Sequence, residues 1–340
     1  HWGGDPDTTF NIVIIGDGFT EGAEQDTFMA YAQAICEEIE KTSPYETNHD
    51  QYNLFRVMAV SNESGITDCS GYAEIVDHLI ETGADSCLRH VMCGFPISKR
   101  IPVDTYLSSY GNAVEDADGN YYGYCNTDKE ALYEAVSNSL FSFGKVGLYI
   151  VILNCRANGG NWLDDKVMTV TLSGAGYDVE DFLQIAMHEM GHGVAGLKEE
   201  YTSCSEWDPT FLTYPNVVRK DQIEEAQWEE VASDLDAHGD LAERHHGPED
   251  PHPCDGTHNQ ASLAAMEMTK LGAYWGAQFI DPPAGFSCGN GCDKPINWND
   301  LGDTLGQSYY RPAAICRMRF LSQDFCGACD HFVEEAIRNP

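Results

Sequence analysis

Apolar and polar positions along this chain follow two periods, and the runs they form predict most of its elements. Asn11 to Gly16 is an apolar, β-branched run ended by Asp17-Gly18, which predicts a strand and a turn. Thr20 and the acids after it mark a helix start, and Glu24 to Lys41 keeps a helical period. Leu54 to Val60 predicts a second strand. Residues 61–145 are mixed; they hold one helix, Lys129 to Leu140, and a turn-like Asp116-Ala117-Asp118-Gly119-Asn120. Val146 to Leu153 is apolar enough to be a central strand. Asn158 to Trp162 reads as a turn, and Lys166 to Leu172 alternates like an edge strand. Asp181 to Met187 then sets apolar groups at helical spacing and runs straight into His188.

After Tyr201 the character changes. Gln222 to Ser233 predicts a helix, Asp234 to His258 a polar loop, and Phe332 to Ile337 a closing helix. The order of strands and helices describes an α/β (α+β) chain, a twisted mixed sheet with an edge strand and helices packed on it. No repeat or low-complexity linker divides it. The expectation is one domain over 1–340, with an amino-terminal subdomain (1–196) and a carboxy-terminal one (197–340).

The chain carries 55 acidic against 19 basic residues, a net charge of −36 spread along its 340 residues. That charge argues against nucleic acid and anionic membrane surfaces as partners. The longest apolar run, Val146 to Leu153, is too short to span a bilayer. Thirteen cysteines on an acidic chain favour an exported, disulfide-bonded, extracellular protein, and the start at His1-Trp2 is expected to be that of a mature form. The odd count leaves one thiol over unless it pairs between chains.

The chemistry concentrates between His188 and Glu200, which opens with His-Glu-Met-Gly-His. On a helix, His188 and His192 stand one turn apart on one face and can grip one metal ion. Glu189, one step round, can reach a metal-held water rather than the metal. Chance could assemble this pattern in a chain with twelve histidines. The surroundings sharpen it: Gly191 and Gly193 are costly in a helix interior, which points to a close approach by something else. Gly196 sits where a helix would end in a left-handed turn.

A catalytic zinc takes three protein ligands and keeps one position open. The common metzincin spacing would put the third ligand at Lys198, which cannot serve. Glu199 and Glu200 are the nearest candidates. His188-Glu189-Met190-Gly191-His192 followed by Leu197-Lys198-Glu199-Glu200-Tyr201 resembles the active-site stretch of the IgA-peptidase (igalysin) family, with Glu199 where that family commonly has Asp. Asn11 to Thr20, Ile152-Leu153-Asn154 with Gly159-Gly160, and Pro215-Asn216-Val217 with Trp228 extend the likeness. Gly272 to Ala277 resembles another family segment, although Trp275 replaces its acid, and Tyr310-Arg311-Pro312 through Met318-Arg319 looks like its methionine turn.

The resemblance implies a metzincin-like zinc endopeptidase acting on protein or peptide substrates, with one catalytic Zn2+. Its ligands would be His188, His192 and Glu199, its general base Glu189, and Met318 a structural floor in the methionine turn. Tyr309 or Tyr310 would steady the transition state, and Lys166 to Leu172 would pair with an extended substrate. Two rivals stand beside it: a gluzincin-type site with Glu224 or Glu225 as third ligand, and a non-catalytic exported binding protein with a structural metal. An intact Glu189 speaks against the second.

Three further metal readings have plainer alternatives. Asp116 to Asn120 resembles the start of a calcium loop, but Thr127 holds the closing position, which favours a hairpin turn. His238, His245, His246, His252 and His258 suit a second metal or simple solvation. Cys288, Cys292, Cys326 and Cys329 have spacings that suit a four-thiolate zinc site, and in an exported chain disulfides are favoured over it.

Overall fold

Apolar runs that are buried on both faces dominate the first part of the chain. The structure, a computed structural model, describes residues 1–66, 104–115, 121–138, 145–155, 160–163, 166–172, 178–198, 214–219, 243–244, 273–275, 309–311, 316–318 and 321–340. Two compact units emerge, His1–Val194 with Ile337–Pro340, and Ala195–Ala336. In chain order the first contains β1 (Phe10–Asp17), α1 (Ala23–Lys41), β2 (Tyr52–Val57), β3 (Tyr110–Glu115) and β4 (Tyr121–Asn126). It continues with α2 (Lys129–Ser137), β5 (Val146–Leu153), β6 (Gly160–Leu163), β7 (Val167–Thr171) and α3 (Val179–Ala195).

Among the described residues five strands form one sheet in the order β2-β1-β5-β7-β6. The first four run parallel, and β6 is antiparallel to β7. Every residue of β1 is buried, as a parallel strand covered on both faces requires. One face packs Val13, Ile15, Val151 and Leu153 against Leu132 and Val136 of α2. The other meets α1, where Phe28 lies against Gly16, and α3, where Gly193 lies against Leu148. Tyr31 of α1 and Phe182 of α3 meet edge to face, 4.8 Å between ring centroids. The fold is therefore mixed α/β, and no helix among the described residues is long and apolar enough to cross a membrane.

Two expectations need correction. Lys166 to Leu172 is no edge strand: β7 lies between β5 and β6, and all five of its residues are buried. Its alternation sets Met168 and Val170 against Thr169 and Thr171, but both threonines are buried too. A small β-branched hydroxyl fits a covered sheet face once it is hydrogen-bonded, so the polar half of the alternation did not mark water. The edge belongs to β6, whose Gly160-Asn161-Trp162 had read as part of a turn. Strands β3 and β4 form an antiparallel pair on either side of residues 116–120, where the sequence favoured a hairpin turn, with Glu115 opposite Tyr121. Residues 116–120, which join them, lie outside the described residues, as do Gln222 to Ser233 and the five histidines of the polar loop.

In the second unit β8 (Val218–Arg219), β9 (Glu243–Arg244), β10 (Ala273–Trp275) and β11 (Tyr309–Arg311) form a sheet in the order β8-β11-β10-β9. Helix α4 (Gly327–Arg338) begins in this unit, five residues before the apolar pattern suggested.

Two loops at the carboxyl end of β1 are tied down by carboxylates. Glu24 accepts hydrogen bonds from the Thr20 amide and hydroxyl, 2.7 Å each, and from the Ser64 hydroxyl at 2.6 Å. Burial works against its ionised form, but the bonds from Ser64 and Thr20 outweigh it and hold the carboxyl below its ordinary value. Asp17, fully buried, accepts from the Leu107 amide (2.9 Å), the Ser109 amide (3.1 Å) and the Ser61 hydroxyl (3.2 Å). Asp17→Ala takes the acceptor from the buried Leu107 amide and one of two acceptors from the Ser109 amide, which also reaches Thr105 Oγ1 at 3.1 Å, and should cost about 2 kcal/mol. Asp17→Asn, which keeps one acceptor oxygen, should cost less; equal losses for the two variants in urea unfolding would refute this role.

Candidate active site

Helix α3 opens on a reciprocal cap. The Asp178 carboxylate accepts from the amides of Glu180 (2.9 Å) and Asp181 (3.1 Å), while the Asp181 carboxylate accepts from the Asp178 amide at 3.0 Å. These bonds satisfy orphan donors of the first turn and place negative charge at its positive end. Further along, every residue from Ala186 to Val194 is buried. A helix covered all round is ordinarily apolar. This one carries His188 at 5% exposure, Glu189 at 8% and His192 at 5%.

The two imidazoles stand one turn apart, with centroids 4.9 Å apart and planes at 84°. Buried rings so close, with a buried carboxylate beside them, fit a divalent metal of the zinc class as donor set and as environment. His188 and His192 would hold the ion.

Two glycines let α3 lie where it does. A side chain at Gly193 would run into Leu148 of β5. Gly160 does the same service one helical turn back: a Cβ there would strike the Glu189 side chain, with Oε1 only 2.8 Å away. Edge strand β6 thus passes directly against the Glu189 carboxylate. Nothing in the local sequence marked Gly160 for this role, because its partner lies 29 residues on in a different element.

Beyond Ala195 the chain turns through Gly196, whose φ of +64° is left-handed. A Cβ there would touch nothing within 4 Å, so the glycine serves backbone conformation rather than space. Leu197 is then buried, and Asn216 clamps the next residue. Its Oδ1 accepts from the Lys198 amide and its Nδ2 donates to the Lys198 carbonyl, both at 2.7 Å. Asn216 has no exposure, and the Lys198 ammonium lies 4.8 Å from the Tyr214 ring centroid. The clamp fixes the backbone one residue before Glu199. Sequence reading noted Asn216 as part of a family-like segment but gave no hint of this bond, which spans 18 residues.

Glu199, Glu200, Tyr201, Glu224 and Glu225 lie outside the described residues. Tyr309 and Tyr310 are on β11, paired with Arg219 and Val218 of β8, and Tyr310 also with Trp275 of β10. Met318 is fully buried in a turn that begins beside Cys316.

Asn216→Ala removes the partner of both the Lys198 amide and its carbonyl, and should destabilise the second unit by about 2–4 kcal/mol. Asn216→Asp keeps the acceptor but sets a carboxylate against the Lys198 carbonyl, so it should not restore stability. Thermal unfolding of the two variants checks this.

Residues 2–79 match the family model described as IgA Peptidase M64. That segment contains β1, α1 and β2, upstream of the helix that carries His188, Glu189 and His192. No match to the chain was found among curated proteins. The family match supports a peptidase.

Proposed function

We propose that the chain is a zinc-dependent endopeptidase that hydrolyses peptide bonds in protein substrates. The observation that carries the reading is the buried face of α3, where His188 and His192 stand a turn apart with Glu189 beside them. The family match over residues 2–79 supports the same reaction class. The third ligand in this reading is Glu199, as the likeness of Leu197 to Tyr201 to the family's active-site stretch implies.

A zinc ion bound there would supply Lewis acidity, bringing the pKa of a water toward about 7 and polarising the scissile carbonyl. Glu189 takes the proton of the attacking water and delivers it to the leaving amine. Its burial keeps competing solvent away, and Gly160 leaves its carboxylate room beside β6. An extended substrate is proposed to pair along β6, the edge strand, rather than along β7. Such a strand would lie alongside the general base. The disulfide at Cys155 favours an exported protein. An immunoglobulin A-like substrate is suggested by the family description alone.

Glu189→Ala should leave metal content unchanged and lower cleavage of casein or a peptide library by about a hundred- to ten-thousand-fold. Retained activity in that variant would sink the assignment. Gly160→Ala should displace the Glu189 carboxylate and lower kcat on the order of a hundredfold, again with metal retained. Digestion with and without chelator separates an enzyme from a binding protein, and metal analysis of Glu199→Ala against Glu224→Ala separates the two ligand sets.

A further inference from the structure

Three sulfurs in the second unit converge on one point. Cys316, Cys326 and Cys329 are 0%, 6% and 0% exposed, and their Sγ atoms all lie within 4.8 Å of one another. Three thiolates around a tetrahedral zinc, each about 2.3 Å from the ion, stand about 3.8 Å apart. The observed triangle, at most 4.8 Å on a side, lets an ion draw the three sulfurs to that spacing with a shift of about 1 Å or less. One disulfide would use only two of the three and strand the third sulfur in the core.

We infer that Cys316, Cys326 and Cys329 form a structural site for a thiophilic divalent ion of the zinc class, separate from the His188–His192 pair in its residues and its role. Burial pushes the Cys316 and Cys329 thiols above their ordinary range, so a bound cation is what would make these sulfurs negative, and the surrounding dipoles would then support them. Cys326 and Cys329 flank the start of α4, three residues apart, where the amide ends of the helix carry partial positive charge. The Cys326 amide donates to Cys316 Sγ at 3.3 Å, an orientation that steadies a thiolate ligand. The Arg317 amide donates to the Asp324 carbonyl at 2.8 Å, which brings the segment around Cys316 back alongside the approach to α4. Arg317, next to Cys316, adds a buried cation at 5% exposure, held near the Phe325 ring and the Asp324 carboxylate.

This set differs from the four cysteines that spacing alone suggests. Cys316 joins Cys326 and Cys329, while Cys288 and Cys292 lie outside the described residues. The three thiols supply three corners of a tetrahedron, each losing its proton on binding. The ion would staple the turn that carries Met318 to the first turn of α4. Metal here would thus secure the second unit without taking part in hydrolysis.

The test uses the full chain carrying His188→Ala and His192→Ala, so that the peptidase site is removed from the count. Elemental analysis should find one zinc per chain, and cobalt substitution should give sulfur-to-cobalt charge-transfer bands. Adding Cys316→Ser should abolish those bands. Because loss of packing alone can unfold that variant, alkylation is mapped by mass spectrometry in the folded parent; chelator should make Cys316, Cys326 and Cys329 reactive together. Absence of metal, metal without sulfur bands, a disulfide joining two of the three, or bands that survive Cys316→Ser would each overturn the site. Loss of peptidase activity has no bearing on any of these readouts.

Discussion

How closely helix α3 can approach its neighbours is the constraint on which the candidate site depends. Burying two imidazoles and a carboxylate within five residues is costly unless the surroundings hold them in place. Here the absence of side chains does part of that work. Gly193 lets the helix sit down on Leu148, and Gly160 lets strand β6 come up against Glu189. One face of the helix, through Ile185, Glu189 and Gly193, thus meets both β5 and β6 of one sheet. A methyl group at either position forces something to move, and on the Gly160 side the first atoms to move belong to Glu189, the proposed general base.

The parallel sheet is the frame for this arrangement. Strands β1, β5 and β7 are buried throughout most of their length, so their positions are set by apolar contacts on two faces rather than by one amphipathic face. Helices α1 and α3 share the face that carries Leu148, with Tyr31 and Phe182 in edge-to-face contact. Rigid support of this kind is what places a carboxylate reliably enough for proton transfer.

Much of this was legible in the sequence, for identifiable reasons. Continuous apolar runs declared β1 and β5, and 3.6-residue periodicity declared α1, α2 and α3. The left-handed Gly196 followed from its place just past an amphipathic helix. What was hidden depends on distant partners. The Val-Thr alternation of β7 looked half-solvated because threonine is polar, yet both of its faces are covered. Gly160 looked like turn chemistry when it was making room for Glu189. Asn216 and Asp17 are ordinary polar letters until the backbone amides they serve, at Lys198 and at Leu107 and Ser109, are seen beside them. Cys316 belonged with Cys326 and Cys329, although spacing had drawn attention to a different pair.

The strand order carries a consequence for the birth of the protein. Strand β1 is finished by Asp17, but its neighbour on the inner side, β5, is not complete until Leu153, so Ile12 waits for Leu148. During synthesis β1 can pair with β2 and collect α1, and still the backbone amides and carbonyls of its other edge wait for β5. Such non-local pairing slows folding and leaves sticky surface open in the meantime. The nascent chain therefore passes through a stage in which this strand has a partner on one side alone.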